Sequence, residues 1–300
     1  MLIRSIFCVL LFCSLSTFVK AQQIFKISQY TEHNFLYNPA ASGANSRASV
    51  GGLYRTMWSG MPGSPTTAIL YGDKYFSKKK IGVSAAIYSD KTGPSSRSGG
   101  IINLSYSVEL ANQKRLMFGL GGQVLQFKID KSEIADAIPG DALLNGSGTT
   151  VKGDASAGIY FKSPTLNVGV SVMQLIQTKL NLIKGTSGED NQGKLYRHYF
   201  LMANYNWKTD EDNVLVPNIL FKYLPNSPLE FEGGVRLEHK KLLWVGFNYH
   251  YQQEVTGYAG FNINKNLSLG YSFDIYNTPL NVFYSGHVAH EISMRYFFGK

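Results

Sequence analysis

From residue 45 onward the chain alternates apolar and polar residues in runs of about ten, the length that crosses a bilayer as a tilted strand. Period two places alternate side chains on opposite faces of a strand. Residues 101–110 show it most clearly. Ile102, Leu104, Tyr106, Val108 and Leu110 share one face, and Asn103, Ser105, Ser107 and Glu109 share the other. Leu116, Phe118 and Leu120 likewise oppose Gly119, Gly121 and Gln123. Leu229, Phe231, Val235 and Leu237 oppose Glu230, Glu232, Arg236 and Glu238, and Leu267, Leu269, Tyr271 and Phe273 oppose Ser268, Gly270, Ser272 and Asp274. The pattern predicts about fourteen strands, near 45–57, 66–76, 80–89, 98–110, 115–128, 153–162, 165–176, 194–207, 213–224, 228–238, 242–251, 256–263, 266–274 and 287–298. Tight turns fall at 77–79, 163–164 and 264–265, and long polar connections at 129–152 and 177–193.

A soluble β-sandwich would show the same alternation with its apolar face turned inward. Three features favour an antiparallel transmembrane β-barrel over residues 45–300. Trp207, Tyr223, Tyr249 and Tyr251 fall near strand ends, as interfacial girdles require. The polar face is rich in Gly, Ser, Asn and mixed charge, which suits a hydrated lumen. The last strand, with Val288, Ile292, Met294, Tyr296 and Phe298, can close a cylinder and remove its edges. Charges facing such a lumen (Glu230, Glu232, Arg236, Glu238, Asp274, Glu291 and Arg295) are expected to form an internal network.

The start of the chain reads differently. Arg4 precedes an apolar run from Ile6 to Val19, and Val19-Lys20-Ala21 offers a cleavage site. Residues 1–21 are therefore expected to be a secretory signal peptide, leaving 22–44 as a segment that is irregular or holds one short helix, broken at Asn38-Pro39. Both cysteines, Cys8 and Cys13, lie in the signal, and Phe12 before Cys13 argues against lipidation. The mature chain then has neither a disulfide nor a thiolate metal site. Charged residues make up 16% of the chain, below the roughly 25% typical of soluble domains. The net charge of +9 is spread over scattered lysines and arginines, apart from Lys78-Lys79-Lys80, so charged turns explain it better than nucleic-acid binding.

Signals for enzyme chemistry are weak. No dinucleotide, P-loop, zinc-protease or nucleophile-elbow motif is present. The histidines His33, His198, His239, His250, His287 and His290 lack metal-binding spacing. His290 and Glu291 are adjacent on a strand and point to opposite faces. An outer-membrane phospholipase would need a serine, a base and an orienting group. His198 and Ser285 are conceivable parts, but nothing in the sequence joins them. The expectation is a protein that is not an enzyme and takes no cofactor.

Ser28-Gln29-Tyr30 leading to Asn38-Pro39-Ala40 and Gly43 resembles the N-terminal signature of the PorP/SprF family of Bacteroidetes membrane proteins. So do Arg55 to Trp58, Gly63-Ser64-Pro65-Thr66, Asp90 to Gly93, Arg197-His198-Tyr199, Trp244-Val245-Gly246, Asp274 and His290-Glu291, in order along the chain. Met57 stands where the family usually has Gln. The resemblance implies an outer-membrane barrel, in contact with outer-membrane lipid, that serves type IX secretion and gliding motility. It would bind the PorK/PorN ring and a periplasmic peptidoglycan-binding partner, or a large exported adhesin with a type B C-terminal domain. Gln29, Tyr30, Asn38, Pro39, Arg55, Trp58, Pro65, Asp90, Gly93, His198, Trp244, Asp274, His290 and Glu291 are the signature residues; each can either build the barrel or touch a partner. The long connections 129–152 and 177–193 are the expected outer contact surface. A passive porin-like channel is the rival reading.

Overall fold

A computed structural model describes residues 24–137, 147–180, 193–277 and 288–299. It contains fourteen antiparallel strands: β1 (Ser49–Thr56), β2 (Thr66–Phe76), β3 (Ile81–Thr92), β4 (Ser95–Leu110), β5 (Lys114–Asp130), β6 (Ser147–Lys162), β7 (Leu166–Met173), β8 (His198–Tyr205, continued by Trp207–Lys208), β9 (Asn213–Tyr223), β10 (Glu230–His239), β11 (Leu243–His250), β12 (Glu254–Asn262), β13 (Leu267–Tyr276) and β14 (Val288–Phe297). Each pairs with its neighbours in sequence, and β14 pairs with β1, so the sheet closes into a barrel. The interruption of β8 has a local cause. Pro217 on β9 has no N–H to give the ladder, while the register is the same on both sides of the gap, with Asn218 opposite Asn204 and Leu215 opposite Trp207.

The apolar face points outward. Ile102, Leu104 and Leu120 are 62%, 55% and 68% exposed, whereas Asn103 is 3% exposed and faces the interior. An apolar band around a closed sheet belongs in hydrocarbon, where every backbone polar group must find its partner within the protein. Exposed aromatics ring both ends of the band. Tyr54, Tyr199, Tyr223, Tyr249 and Tyr251 lie at one, and Phe76, Trp207, Phe261, Tyr296 and Phe298 at the other. No helix among the described residues is long and apolar enough to cross a membrane; the crossing elements are strands.

The two rims differ. At one, the connections 77–80, 111–113, 163–165, 209–212, 240–242 and 263–266 are all short. Asp210 organises one of these turns, and the Asn213 side chain, with the backbone N–H groups of Asp212 and Asn213, holds its carboxyl below the usual range. At the other rim, connections range from the Gly93-Pro94 turn to the long stretches 131–146 and 174–197. Part of the expected loop 129–152 is in fact strand and helix: β5 runs to Asp130, α1 covers Lys131–Ala137, and β6 begins at Ser147 opposite Asp130. Backbone pairing extends this hairpin above the apolar band, where side-chain alternation no longer marks it. Most of the expected loop 177–193 lies outside the described residues, as do the signal segment, Ser285 and His287.

If the outward face meets lipid, Ile102→Arg and Leu120→Arg should each lower the stability of the vesicle-inserted protein by about 2–4 kcal/mol. Urea unfolding in phospholipid vesicles measures this; an unchanged midpoint would contradict the assigned orientation.

Candidate functional site

Residues 24–44 lie inside the barrel. They hold three 3-10 turns, Tyr30–Glu32, Asn34–Leu36 and Pro39–Ala41, instead of one short helix. The last turn is dictated locally. Asn38 precedes proline and is confined to extended backbone (φ −138°, ψ 109°), and its side chain accepts a hydrogen bond from Ala40 N at 2.9 Å. The segment runs the length of the lumen. Lys26 contacts His250 and Glu254 at the long-loop mouth, and Gly43 N donates to Asp73 Oδ1 at 2.6 Å near the short-turn mouth.

The barrel wall is shaped to receive it. A Cβ at Gly119 would collide with the Ala40 backbone, one at Gly82 with Ser42 O, one at Gly158 with the Asn38 side chain, and one at Gly270 with the Gln29 side chain. Wall side chains satisfy the backbone of the segment. Asn103 donates to Phe35 O (3.1 Å), Ser171 to Tyr37 O (2.6 Å), Ser105 to Ser42 O (2.7 Å) and Arg115 to Ala44 O (2.6 Å). Ile27, Tyr30, Phe35, Leu36, Tyr37 and Ala40 pack against Leu53, Ile69, Tyr71, Met117, Phe200 and Met202 in one buried cluster. The expected hydrated lumen is therefore corrected to a packed core. The wall is polar, but the segment covers it and adds the apolar half.

The signature residues now have places. Arg55 is fully buried; it donates to Tyr276 OH at 3.0 Å and to Ser28 Oγ, and its guanidinium lies 2.5 Å from Asp274 Oδ2 and 3.6 Å from Glu291 Oε2. Glu291 accepts the backbone N–H groups of Ser28 (2.9 Å) and Gln29 (3.1 Å), and Ser28 Oγ donates to Asp274 Oδ2 at 2.9 Å. Two carboxylates and one guanidinium thus grip a single bend of the N-terminal segment. Tyr30 OH donates to Asn218 Oδ1 at 2.7 Å, and Asn38 Nδ2 donates to Ile159 O at 3.1 Å. Arg236 pairs with Glu32 and Glu238, and Arg295 donates to Glu32 O at 2.8 Å.

Other signature residues stand apart from this grip. Asp90 pairs with Arg97 at 2.5 Å and accepts from Thr67 at 2.7 Å. Gly93, at φ +52°, forms the β3–β4 turn and donates to Gly63 O. Pro65 O accepts from Met57 N, and Trp58 packs edge-on against Tyr276. Trp244 lies on the inner wall beneath Arg236. His290 faces outward with its Nδ1 2.7 Å from Tyr271 OH, so it does not meet Glu291 on the inner face. His198 is buried with Nδ1 2.8 Å from Tyr196 O, and no described serine is hydrogen-bonded to it. Among the described residues no group of three or more His, Cys, Asp or Glu is placed to hold a metal. Sequence reasoning missed Glu32, His33 and Tyr37, and it missed the part that Ser28 and the lumen glycines play in seating the segment. The inward glycines at 119 and 121 were the available signal, because a polar face built from glycine leaves room for something else.

Removing Arg55 would leave two buried carboxylates facing each other. Arg55→Met should destabilise the barrel by about 3–5 kcal/mol, read as a lower temperature for loss of the compact, heat-modifiable band on gels. A variant as stable as the parent would show that the cluster does not hold the segment.

Against known proteins, the family model described as type IX secretion system membrane protein PorP/SprF matches residues 19–296. No curated protein gives a significant match. Among solved structures, the barrel resembles the CymD monoaromatic hydrocarbon channel, at 11% identity and a TM-score of 0.52, covering 93% of this chain and 95% of that one. It also resembles a FadL homologue from Pseudomonas aeruginosa, at 12% identity and a TM-score of 0.50, covering 87% and 93%. At such identities the likeness is one of fold. A closed fourteen-stranded barrel with an apolar belt, matched along nearly its whole length by one family model, is an outer-membrane protein, and the chain belongs to the PorP/SprF family of type IX secretion system membrane proteins.

Proposed function

We propose that this protein is a sealed, non-catalytic anchor of the type IX secretion or gliding machinery, which holds a partner by surface contact and passes nothing through its lumen. The observation that carries the reading is the N-terminal segment, packed against the wall along the whole lumen and buried from Ile24 to Ser42 at nearly every residue. In outer-membrane barrels, short turns face the periplasm and long connections face outward. On that basis the connections 131–146 and 174–197 offer an exported adhesin its contact surface, and the short-turn rim faces the secretion ring or a periplasmic peptidoglycan-binding partner.

The rival is a passive channel; CymD is described as a monoaromatic hydrocarbon channel. A passive channel needs a continuous water path. Two recesses flank Ile24 and Phe25 at the long-loop mouth, and Tyr37, Phe200 and Leu220 line the inner end of one of them.

Planar-bilayer recording separates the two. The intact protein should be silent, and Gly119→Leu, whose side chain collides with Ala40, should give conducting events. A steady open current from the intact protein would overturn the sealed reading. The anchoring role is checked separately: deleting 131–146 should abolish surface display of the partner while the barrel still inserts, and normal display would count against it.

A further inference from the structure

We propose that the short-turn rim is a binding ring for the headgroups of anionic phospholipids in the leaflet it contacts. Lysines far apart in the sequence gather there. Lys78 and Lys79 lie in the β2–β3 turn, Lys114 opens β5, Lys208 ends β8, Lys241 lies in the β10–β11 turn and Lys265 in the β12–β13 turn. All six are exposed, and none has an ion-pair partner among the described residues. Two others at the rim are already paired, Lys80 with Glu109 at 3.3 Å and Lys240 with Asp212 at 3.5 Å. The acidic groups left on that rim, Asp210 and Glu211, share one turn. At the opposite rim, the connections 57–65, 224–229, 251–253 and 277–287 contain no lysine or arginine, and the basic residues are confined to one side, on the strand ends around Lys91 and Lys128 and in the connections 131–146 and 174–197.

The neighbours of these lysines identify the partner. Lys74 faces outward with its Nζ 4.7 Å from the ring of half-exposed Phe76, next to Lys78 and Lys79. Lys208 follows exposed Trp207, Lys241 precedes exposed Leu242, and Lys265 lies beside exposed Ile263. Lys208, Lys241 and Lys265 therefore flank the edge of the apolar belt, the level at which lysine stems cover hydrocarbon and their heads reach phosphates. Docking of a soluble acidic protein would not call for the exposed Trp207, Leu242 and Ile263 beside these lysines. The phosphate of a phosphatidylglycerol-type lipid, carrying net negative charge, matches lysines at this level; a zwitterionic headgroup does not.

Native mass spectrometry of the whole protein, released from detergent in an equal mixture of phosphatidylglycerol and phosphatidylethanolamine, tests the proposal. The parent should retain phosphatidylglycerol with roughly tenfold preference, weakening as salt rises. The variant K78Q/K79Q/K114Q/K241Q/K265Q should lose that preference while still showing heat-modifiable migration, the sign of a folded barrel. The control K91Q/K128Q/K179Q, on the opposite rim, should keep it. No preference in the parent, an undiminished one in the five-site variant, or equal loss in the control would each overturn the proposal. A five-site variant with unchanged lipid retention but lost binding to an acidic periplasmic protein would assign the ring to protein docking instead.

Discussion

A cylinder of fourteen strands encloses more space than its own side chains can fill, and that excess volume governs the rest of this structure. Eight strands leave a lumen their side chains just occupy, whereas sixteen to eighteen leave an aqueous channel. At fourteen the chain uses a segment of itself. Residues 24–44 bring Ile27, Phe35, Leu36 and Tyr37 into a wall whose inner face is mostly Gly, Ser, Asn and charge. The outward face is then free to be uniformly apolar, and the inward face can stay polar without remaining wet.

Charge inside that packed lumen has to be met by partners, because no bulk water is there to solvate it. Arg55, Asp274 and Glu291 are fully buried, and one guanidinium cannot neutralise two carboxylates. The surplus is met by donors of the N-terminal segment: the N–H groups of Ser28 and Gln29 and the hydroxyl of Ser28. Charge-assisted hydrogen bonds of this kind are the ones strong enough to offset desolvation. The same logic recurs at Glu32, which neutralises Arg236 and approaches Arg295. The expected internal network of Glu230, Glu232, Arg236, Glu238, Asp274, Glu291 and Arg295 does lie inside the wall, but several of its partners come from outside the barrel strands.

What the sequence disclosed follows the range of the interactions. Lipid imposes one rule at every outward position, so Ile102, Leu104 and Tyr106 announced their strand and its orientation from local alternation alone. Asn38-Pro39 announced a backbone break for equally local reasons. The bond from Ser28 to Glu291 joins residues 263 apart, and no local pattern encodes it. Nor could the sequence place Lys114 on the same rim as Lys78, because only the up-and-down topology carries every second turn to one rim. The segment 22–44 carried its family signature openly; the place of residues 24–44 in the lumen could be read only from the wall glycines that make room for them.

Closure and filling share the same residues in this architecture. Arg55 on β1 and Glu291 on β14 are register partners across the seam that turns a sheet into a barrel. Those two residues also hold the Ser28-Gln29 bend. If the seam formed first, it would bury an arginine and two carboxylates short of donors. If the segment docked first, it would bind a wall still missing one of its two sides. Neither half of the site is complete without the other, so the electrostatics that seat the N-terminal segment also favour the pairing of first strand with last. A cross-strand ion pair at an ordinary position of the sheet would add little. Here, desolvated by the segment it grips, the pair links the N-terminal segment to the closing of the final strand.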